Sequence, residues 1–390
     1  MIKKGYAEKK PKEQKLIRLL IATDNFSPRT DGISKVLSEI IPLISEEYEI
    51  TVLCPDFGDT GSLPARIIKF PLGKRRIGEY RIPAIDKNTI REEVRKTDII
   101  FSHGIGPIGY NTVIEGRRHN KPIASYLHSR EWELFSRYIG SGKIVRAIVE
   151  RLTLIRMRMT YNKSSIIITS SKNDALLLQR YGIRTPTQVI PLGVNPYHYK
   201  PQHNKVIAKQ SIGLNSQSFV VGYTGRISHE KDLMTLARAF LWLKKNHPSS
   251  LLLIVGSGNP KIEAQLKEKQ SVLHIPETPI VLPYLHAMDV FVMPSLTETS
   301  SISTLEAMST AIPVVTTKIG LMREYVKDNE NGYTFPRGDW MRCGRILRKI
   351  AGDVMTRKRL GENARKTVLN NYVIENSAKK ISNTLKSILQ

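Results

Sequence analysis

Two basic side chains, Arg226 and Lys231, stand five residues apart between a strand-like run and a helical pattern. An arginine and a lysine from one such loop can bind a diphosphate, the guanidinium through paired hydrogen bonds and the ammonium as a point charge. An ordinary pair of surface charges is the alternative. However, Arg226 follows Gly225 at the carboxyl end of a predicted strand, where α/β sheets bind their ligands. The loop therefore predicts an anion-binding site.

Two glutamates, Glu298 and Glu306, are eight residues apart between two apolar strand-like runs. Carboxylates accept hydrogen bonds from sugar and ribose hydroxyls. Ser300, Ser301 and Ser303 can cap the helix that follows, which would place Glu306 on its exposed side. A helix with acidic residues in its first turns, which suits the helix dipole, explains the pair equally well.

Three glycines follow strand-like runs. Gly32 lies between the predicted strand Ile17–Thr23 and the predicted helix Ile33–Ile44, where the absence of a Cβ lets a phosphate approach the helix N-terminus. Gly256 and Gly258 form a strand-to-loop turn in the second half of the chain. A turn glycine beside an aspartate cap is the other interpretation of Gly32.

A G-x-G-x-x-G pattern at 104–109 follows a later strand-like run. A dinucleotide-binding enzyme carries this pattern after its first strand, with an acid at the end of the second. Here the next predicted strand ends at His128 without an acid, so we do not assign dinucleotide binding. His128 is itself a candidate, structural or catalytic, because it stands at a strand end.

The composition narrows the function classes. The chain of 390 residues carries 60 basic and 35 acidic residues, a formal charge of +25. Such a surface attracts nucleic acid, anionic lipid headgroups or phosphorylated substrates, although excess lysine also serves solubility alone. No zinc-finger spacing, RNP-type aromatic motif or recognition helix accompanies the charge, so we expect no nucleic acid. No run approaches the ~20 apolar residues that a membrane span needs.

Two further features predict a cytoplasmic protein. Cys54 and Cys343 lack metal-ligand spacing and suit a reducing compartment. The lysine-rich tail 1–15 has no apolar stretch and is not a secretory signal.

The elements that position these residues alternate between strands and helices, which predicts parallel sheets covered on both faces. The length favours two domains of roughly 150–200 residues. A polar segment from Gly193 through Pro201 to Gln210 has the composition of a linker. We therefore expect an α/β fold of two doubly wound, Rossmann-like domains, at 16–195 and 196–373, facing each other across a cleft.

In this order the motifs resemble those of the retaining GT-B glycosyltransferases of family 4, a group that includes phosphatidylinositol mannosyltransferases, glucosyl-diacylglycerol synthases and sucrose synthases. The resemblance runs from about Leu16 to Ile388. It is carried by Gly225-Arg226 with Lys231, Pro191-Leu192-Gly193-Val194-Asn195 with Pro201, Glu298 with Glu306-Ala307-Met308, and Asn331-Gly332 after Glu324. It departs from the family at Asp31, Ser300, Ser301 and Ala311, where the family has Gly, Phe, Gly and Gly.

The resemblance implies the GT-B fold, with a C-terminal helix (374–390) crossing back to the first domain. It implies that Arg226 and Lys231 bind the donor diphosphate with help from the backbone of Gly32. Glu306 would hold the ribose, Glu298 and the backbone after it the transferred sugar, and His128 would lie beside sugar and leaving phosphate. We group the remaining loop residues with the donor site: Gly225, Gly256, Gly258, Ser300 and Ser301.

The implied activity is transfer of a hexose from a UDP- or GDP-sugar with retention of configuration, without a metal and without a further cofactor. Basic clusters at 74–76, Arg81 and 143–158 fall in the domain where the family binds its acceptor. They favour a membrane lipid or lipid-linked acceptor at an anionic cytoplasmic membrane face. The alternatives are a transferase that acts on a polysaccharide or soluble glycan, and a non-catalytic carbohydrate-binding scaffold.

A glycoside hydrolase is less consistent with the spacing of the two glutamates. Eight helical residues rise about 12 Å, whereas retaining hydrolases hold their carboxyl groups ~5–5.5 Å apart.

Overall fold

The computed structural model describes residues 16–29, 31–77, 80–128, 130, 132 and 142–389. The basic tail at 1–15 and the last residue of the predicted C-terminal helix lie outside the described residues.

The described residues of the first domain form a seven-stranded parallel sheet in the order β3-β2-β1-β6-β7-β8-β9, with a separate hairpin β4-β5. The central strands are buried along their whole length, as expected for a parallel sheet covered on both faces. The strands are β1 (Ile17–Thr23), β2 (Tyr48–Pro55), β3 (Arg66–Phe70), β4 (Leu72–Ile77), β5 (Tyr80–Pro83), β6 (Ile99–His103), β7 (Ile123–Leu127), β8 (Ile166–Thr169) and β9 (Thr187–Val189). The helices are α1 (Gly32–Ile44), α2 (Lys87–Lys96), α3 (Pro107–Arg118), α4 (Lys143–Tyr161) and α5 (Lys172–Arg180).

The second domain has a six-stranded parallel sheet in the order β12-β11-β10-β13-β14-β15. Its strands are β10 (Val220–Thr224), β11 (Leu251–Val255), β12 (Val272–Ile275), β13 (Val290–Met293), β14 (Val314–Thr317) and β15 (Gly332–Phe335). The accompanying helices are α6 (Lys205–Gln210), α7 (Leu233–Asn246), α8 (Pro260–Lys267), α9 (Leu282–Ala287), α10 (Ile302–Ser309), α11 (Met322–Tyr325), α12 (Trp340–Gly352) and α13 (Val354–Asn371).

The last helix, α14 (Ile374–Ser387), packs against α1 and joins the core of the first domain. The chain crosses between the domains twice, and the crossings run side by side: Val194 N–H donates to the Tyr372 carbonyl at 2.9 Å, and Ile374 N–H donates to the Val194 carbonyl at 3.1 Å. A Cβ on Gly193 would lie 2.5 Å from the Tyr372 oxygen, so only glycine allows this approach. Together with the two sheets, the returning helix confirms the predicted fold class.

Three local features of the structure differ from the prediction. The segment predicted as a polar linker contains α6, whose Asn204 side chain caps its N-terminus. The hairpin β4-β5 was not predicted, because its strands carry Lys74, Arg75 and Arg76 in place of an apolar alternation. Strand β15 was missed as well, since only the turn at Asn331-Gly332 was recognised there.

Candidate active site

A cavity of about 1560 Å³ lies between the two domains at the carboxyl ends of the strands. Strand-end residues of both sheets line it, among them His103 from β6 and Thr224 from β10. This is the position at which doubly wound sheets bind their ligands. Most predicted site residues line this cavity; Glu306 does not.

Arg226 and Lys231 lie at the cavity wall, and each is paired with a glutamate. Arg226 Nη2 contacts Glu230 Oε1 at 2.5 Å, while Lys231 Nζ forms a short contact with Glu298 Oε2. The second pair joins two motifs that are 67 residues apart in sequence. A further bond, from Leu296 N–H to the Glu230 carbonyl at 2.7 Å, fixes the two loops against each other.

Glycines allow the loops of the second domain to approach closely. Gly225 and Gly256 have φ values of +141° and +143°, which side-chain-bearing residues rarely adopt. A Cβ on Gly256 would lie 2.0 Å from the Gly225 oxygen, and one on Gly258 would lie 2.1 Å from the Ile227 oxygen. All three glycines line the cavity, where their first effect is to hold the loop of Arg226 against the turn after β11.

Two helix N-termini of the first domain already hold carboxylates. Asp31 caps α1 by accepting from the N–H groups of Ile33 and Ser34 at 3.0 and 3.1 Å, next to the predicted Gly32. Asp24 accepts from two N–H groups of α3, at residues 108 and 109, at 2.9 and 3.2 Å. A carboxylate thus already occupies the helix N-terminus that the G-x-G-x-x-G segment would offer to a phosphate.

The N-terminus of α10, in contrast, has no side-chain cap. Ser301 precedes it with a φ of +53°, and Ser300, Ser301 and Ile302 line the cavity. The loop is held from behind, where Tyr325 Oη donates to the Ser300 carbonyl at 3.0 Å. Uncapped N–H groups and the helix dipole together favour an anion at this end of the cavity.

Glu306 was expected on the exposed side of its helix, and that expectation is wrong: its side chain is 1% exposed. Its Oε1 accepts from Lys35 Nζ of α1 and from Tyr199 Oη, both at 2.9 Å. Its Oε2 is buried and has no hydrogen-bond partner. The residue packs against α1 because α10 faces the first domain, a relation that the local pattern of the helix does not reveal.

His128 lines the cavity and forms a pair with a histidine that was not predicted. His103 Nδ1 and His128 Nε2 are 2.6 Å apart, and His103 is 2% exposed. Burial lowers the pKa of His128 to about 3, and burial together with the neighbouring ring lowers the pKa of His103 well below its ordinary value. Both rings are therefore neutral at neutral pH. The strand-end position of His103, directly before Gly104, was the available signal.

His128 also forms a contact across the cavity. Its carbonyl accepts a short hydrogen bond from Thr299 Oγ1 of the second domain. The histidine pair and the Glu298 loop are thus neighbours in the structure.

Neither a metal cluster nor a membrane-spanning helix is found in the described part of the chain. No group of three or more His, Cys, Asp or Glu residues there is placed to hold an ion. None of its helices combines the length and the apolar character that crossing a bilayer requires.

Two family models match the chain, one in each domain. The model described as "Glycosyltransferase Family 4" matches residues 30–197. The model described as "Glycosyl transferases group 1" matches residues 204–367. Between them they span both walls of the cavity.

Two curated relatives match this chain over most of their length. An alpha-monoglucosyldiacylglycerol synthase of Acholeplasma laidlawii is 21% identical over 345 residues, covering 83% of this chain and 86% of the relative. A UDP-Gal:alpha-D-GlcNAc-diphosphoundecaprenol alpha-1,3-galactosyltransferase of Escherichia coli is 26% identical over 388 residues, covering 93% and 96%.

Solved structures share the fold. A sucrose-phosphate synthase from Thermosynechococcus elongatus superposes with a TM-score of 0.76 at 18% identity, covering 96% of this chain and 99% of that one. Anabaena HepE in complex with UDP and glucose gives a TM-score of 0.75 at 17% identity, covering 96% and 100%.

Proposed function

Because the chain belongs to the GT-B glycosyltransferases of family 4, we propose that it transfers a hexose from a nucleoside-diphosphate sugar to a membrane lipid or lipid-linked acceptor, with retention of configuration. One observation carries the donor half of this proposal. Arg226, Lys231 and the uncapped N-terminus of α10 meet at one cavity that also contains Glu298.

The proposed mechanism depends on fixed charges. Departure of the nucleoside diphosphate leaves negative charge on its terminal phosphate, which Arg226, Lys231 and the N–H groups of α10 would stabilise. These groups provide the counter-charge in the proposal, so no metal and no further cofactor are assigned. We assign no nucleophile, since a front-face transfer that retains configuration needs none.

The two glutamates have distinct proposed roles. Glu298 is held by Lys231 at the cavity and would accept hydrogen bonds from hydroxyls of the transferred sugar. Glu306 would hold the ribose, which would supply a donor to its unpaired Oε2. Because Lys35 covers this carboxylate in the structure, nucleotide binding would have to displace or share the lysine.

The lipid acceptor is supported by the names of the two relatives. One is a synthase of a monoglucosyldiacylglycerol, and the other is a galactosyltransferase whose name includes a diphosphoundecaprenol-linked sugar. The lipid acceptor is also supported by helix α4, which has exposed apolar side chains at i, i+4 and i+8: Ile144, Ile148 and Leu152 are 78%, 54% and 61% exposed. Lys143 and Arg146 stand beside them. An apolar stripe flanked by basic residues, on a chain of net charge +25, fits an anionic membrane surface at the cytoplasmic face.

The polysaccharide alternative is less well supported, because a soluble glycan gives no reason for the apolar stripe. A non-catalytic scaffold gives no reason for Arg226 and Lys231 to line the same cavity as the uncapped N-terminus of α10.

The experiment is to incubate the purified protein with a panel of UDP- and GDP-sugars, with lipid vesicles, with soluble glycans or with neither, and to measure released nucleoside diphosphate. We expect one donor to be used, with release that rises with lipid and is unchanged by EDTA. Arg226→Ala or Lys231→Ala should lower release about 100-fold or more, since each removes a charge from the leaving group. NMR of the product would give its anomeric configuration.

Arg345→Ala and Lys379→Ala serve as controls, because both remove an exposed cation outside the cavity. If these lose activity as severely as the site variants, or if no donor releases nucleotide, the proposed function is wrong. Release that is equal with soluble glycans and lipids would support the polysaccharide alternative.

A further inference from the structure

We infer that the first-domain wall of the cavity binds a phosphate group on the acceptor, so that the acceptor is a phosphorylated lipid and not a neutral one. The inference rests on the proposed function and specifies its substrate class.

The charge of the two cavity walls is unequal. The second domain contributes Arg226 and Lys231 against Glu230, Glu277 and Glu298, which leaves that wall close to neutral. The first domain contributes six basic residues, Arg29, Lys35, Arg76, Arg81, Arg130 and Arg156, against the two acids Asp24 and Asp31. The positive charge of the cavity therefore lies on the wall opposite the proposed donor site.

The acids of the first-domain wall do little to offset this charge. Asp24 is buried and accepts from the N-terminus of α3. Asp31 caps α1 and has Arg29 Nε at 3.6 Å. A further acid, Asp174, accepts from Arg130 at 3.1 Å. Three of the six cations thus have a carboxylate nearby: Arg29 has Asp31, Arg130 has Asp174, and Lys35 has Glu306 of the second domain.

Arg76 and Arg81 are directly opposite each other on the hairpin β4-β5. Both are exposed, and within the described residues neither has a hydrogen bond or ion pair to a carboxylate. Two neighbouring guanidinium groups with like charge repel each other, and an anion between them would relieve that repulsion. Guanidinium groups also match phosphate oxygens in bidentate geometry.

Arg156 adds a more rigid cation to the same wall. Its Nε donates to the Ile105 carbonyl at 2.9 Å, and its guanidinium carbon lies 4.0 Å from the centre of the Tyr110 ring. Such contacts fix the side chain without neutralising it.

Apolar side chains accompany these arginines. Leu72 and Ile82 of the hairpin and Val149 and Leu152 of α4 line the cavity. Leu152 also belongs to the exposed stripe of α4, so the apolar surface continues from the cavity onto the proposed membrane face. A phosphate joined to a hydrocarbon chain would contact both kinds of side chain. A neutral lipid would cover the arginines without pairing them, which is unfavourable.

The test measures binding of short phosphorylated and neutral lipids by calorimetry, in the presence of saturating nucleoside diphosphate to fill the donor site. The probes are geranyl diphosphate against geraniol, and dioctanoyl phosphatidic acid against dioctanoylglycerol. We expect at least one phosphorylated probe to bind on the order of tenfold or more tightly than its neutral partner, with an affinity that falls as salt rises.

The double variant Arg76→Gln/Arg81→Gln should remove most of this preference. Lys74→Gln/Arg75→Gln is the matched control, since it removes the same charge from the same hairpin at positions that do not line the cavity. A preference for geranyl diphosphate alone would identify a lipid diphosphate as the ligand. A preference for phosphatidic acid alone would identify a phospholipid as the ligand.

Equal binding of phosphorylated and neutral probes would overturn the inference, as would equal losses in the two double variants. Binding of UDP and GDP alone is measured first. If neither nucleotide binds while binding of the phosphorylated probe still requires Arg76 and Arg81, the proposed function fails and the phosphate site stands.

Discussion

At the residue scale, the contact between Lys231 and Glu298 connects the two halves of the proposed donor site. Without a ligand each ionic group satisfies the other, so neither is left as an isolated charge at the cavity. A bound diphosphate would compete for Lys231 and leave Glu298 available to sugar hydroxyls. In the proposed function the pair would therefore couple phosphate binding to sugar recognition.

The His103–His128 pair gives a prediction on pH. Both histidines have a folded pKa below the unfolded value near 6.5, so the unfolded chain binds more protons between these values. The folded protein therefore has its full stability above pH 6.5, where both imidazoles are neutral, and loses stability as the pH falls below 6.5. We expect unfolding free energy to fall by up to about 1.4 kcal/mol per pH unit for the buried His103. Denaturant unfolding between pH 7 and pH 5 measures this slope.

His103→Gln should reduce that slope, and His203→Gln controls for the loss of an exposed imidazole. An unchanged slope in His103→Gln would show that the pair does not resist protonation.

Single residues were predictable where local sequence decides their position. Arg226, Lys231 and His128 were recognised from strand ends, and all three line the cavity. The partners of His128 and Lys231 were not predictable, because His103 and Glu298 reach them only through the order of strands in each sheet.

At the element scale, the N-termini of α1, α3 and α10 border the cavity, and their caps differ. The N-terminal N–H groups of α1 and α3 donate to the carboxylates of Asp31 and Asp24, whereas α10 has no side-chain cap. A carboxylate satisfies the N–H groups that an anionic ligand would use. The proposed donor phosphate is therefore directed to α10.

The packing of α1 against α10 and α14 gives a second prediction. Burial and then the charge of Glu306 raise the pKa of Glu39 on α1 to about 7, Lys35 opposes this and Glu375 of α14 adds to it. The folded pKa is above the unfolded value of 4.5, so the fold favours the protonated Glu39 carboxyl. The stability associated with this protonated carboxyl is fully present below pH 4.5 and is lost as the pH rises through 7. Glu39→Gln should therefore raise the unfolding free energy at pH 8, by about 1–3 kcal/mol, and have little effect at pH 5.

Thermal unfolding at the two pH values tests this, with Glu46→Gln as the control for losing one exposed carboxylate near the end of the same helix. A stabilisation that is equal at both pH values would contradict the assignment.

The strands of both sheets were predictable because continuous apolar runs bounded by glycine or polar residues are typical of buried parallel strands. Strand β1 (Ile17–Thr23) has the predicted bounds. The hairpin β4-β5 lies outside the two sheets, and its charged residues hide the alternation of a strand.

At the scale of the whole molecule, the two domains are linked by adjacent chain crossings and by the contact of Lys35 with Glu306. The hairpin β4-β5 and α4 both contribute side chains to the first-domain wall of the cavity. The proposed phosphate site and the apolar stripe of α4 are consequently on the same domain. A lipid could remain in the membrane while its headgroup reaches the donor.

This arrangement predicts that α4 attaches the protein to anionic membranes. Ile144→Ser/Ile148→Ser should lower the bound fraction on vesicles of phosphatidylcholine mixed with phosphatidylglycerol by about tenfold, because it removes two exposed apolar side chains from the interface. Binding to phosphatidylcholine alone should be weak in all variants, and binding to the mixed vesicles should fall as salt rises. Vesicle sedimentation measures the bound fraction.

The matched control is Val354→Ser/Met355→Ser, which removes two side chains of the second domain that are 64% and 74% exposed. It lowers surface hydrophobicity in the same way but away from the first-domain wall, so it should leave vesicle binding unchanged. Turnover of a short-chain acceptor in solution should survive both double variants, because Ile144 and Ile148 do not line the cavity. Equal losses of vesicle binding in the two variants would indicate a general hydrophobic effect and would remove α4 as the membrane-binding element.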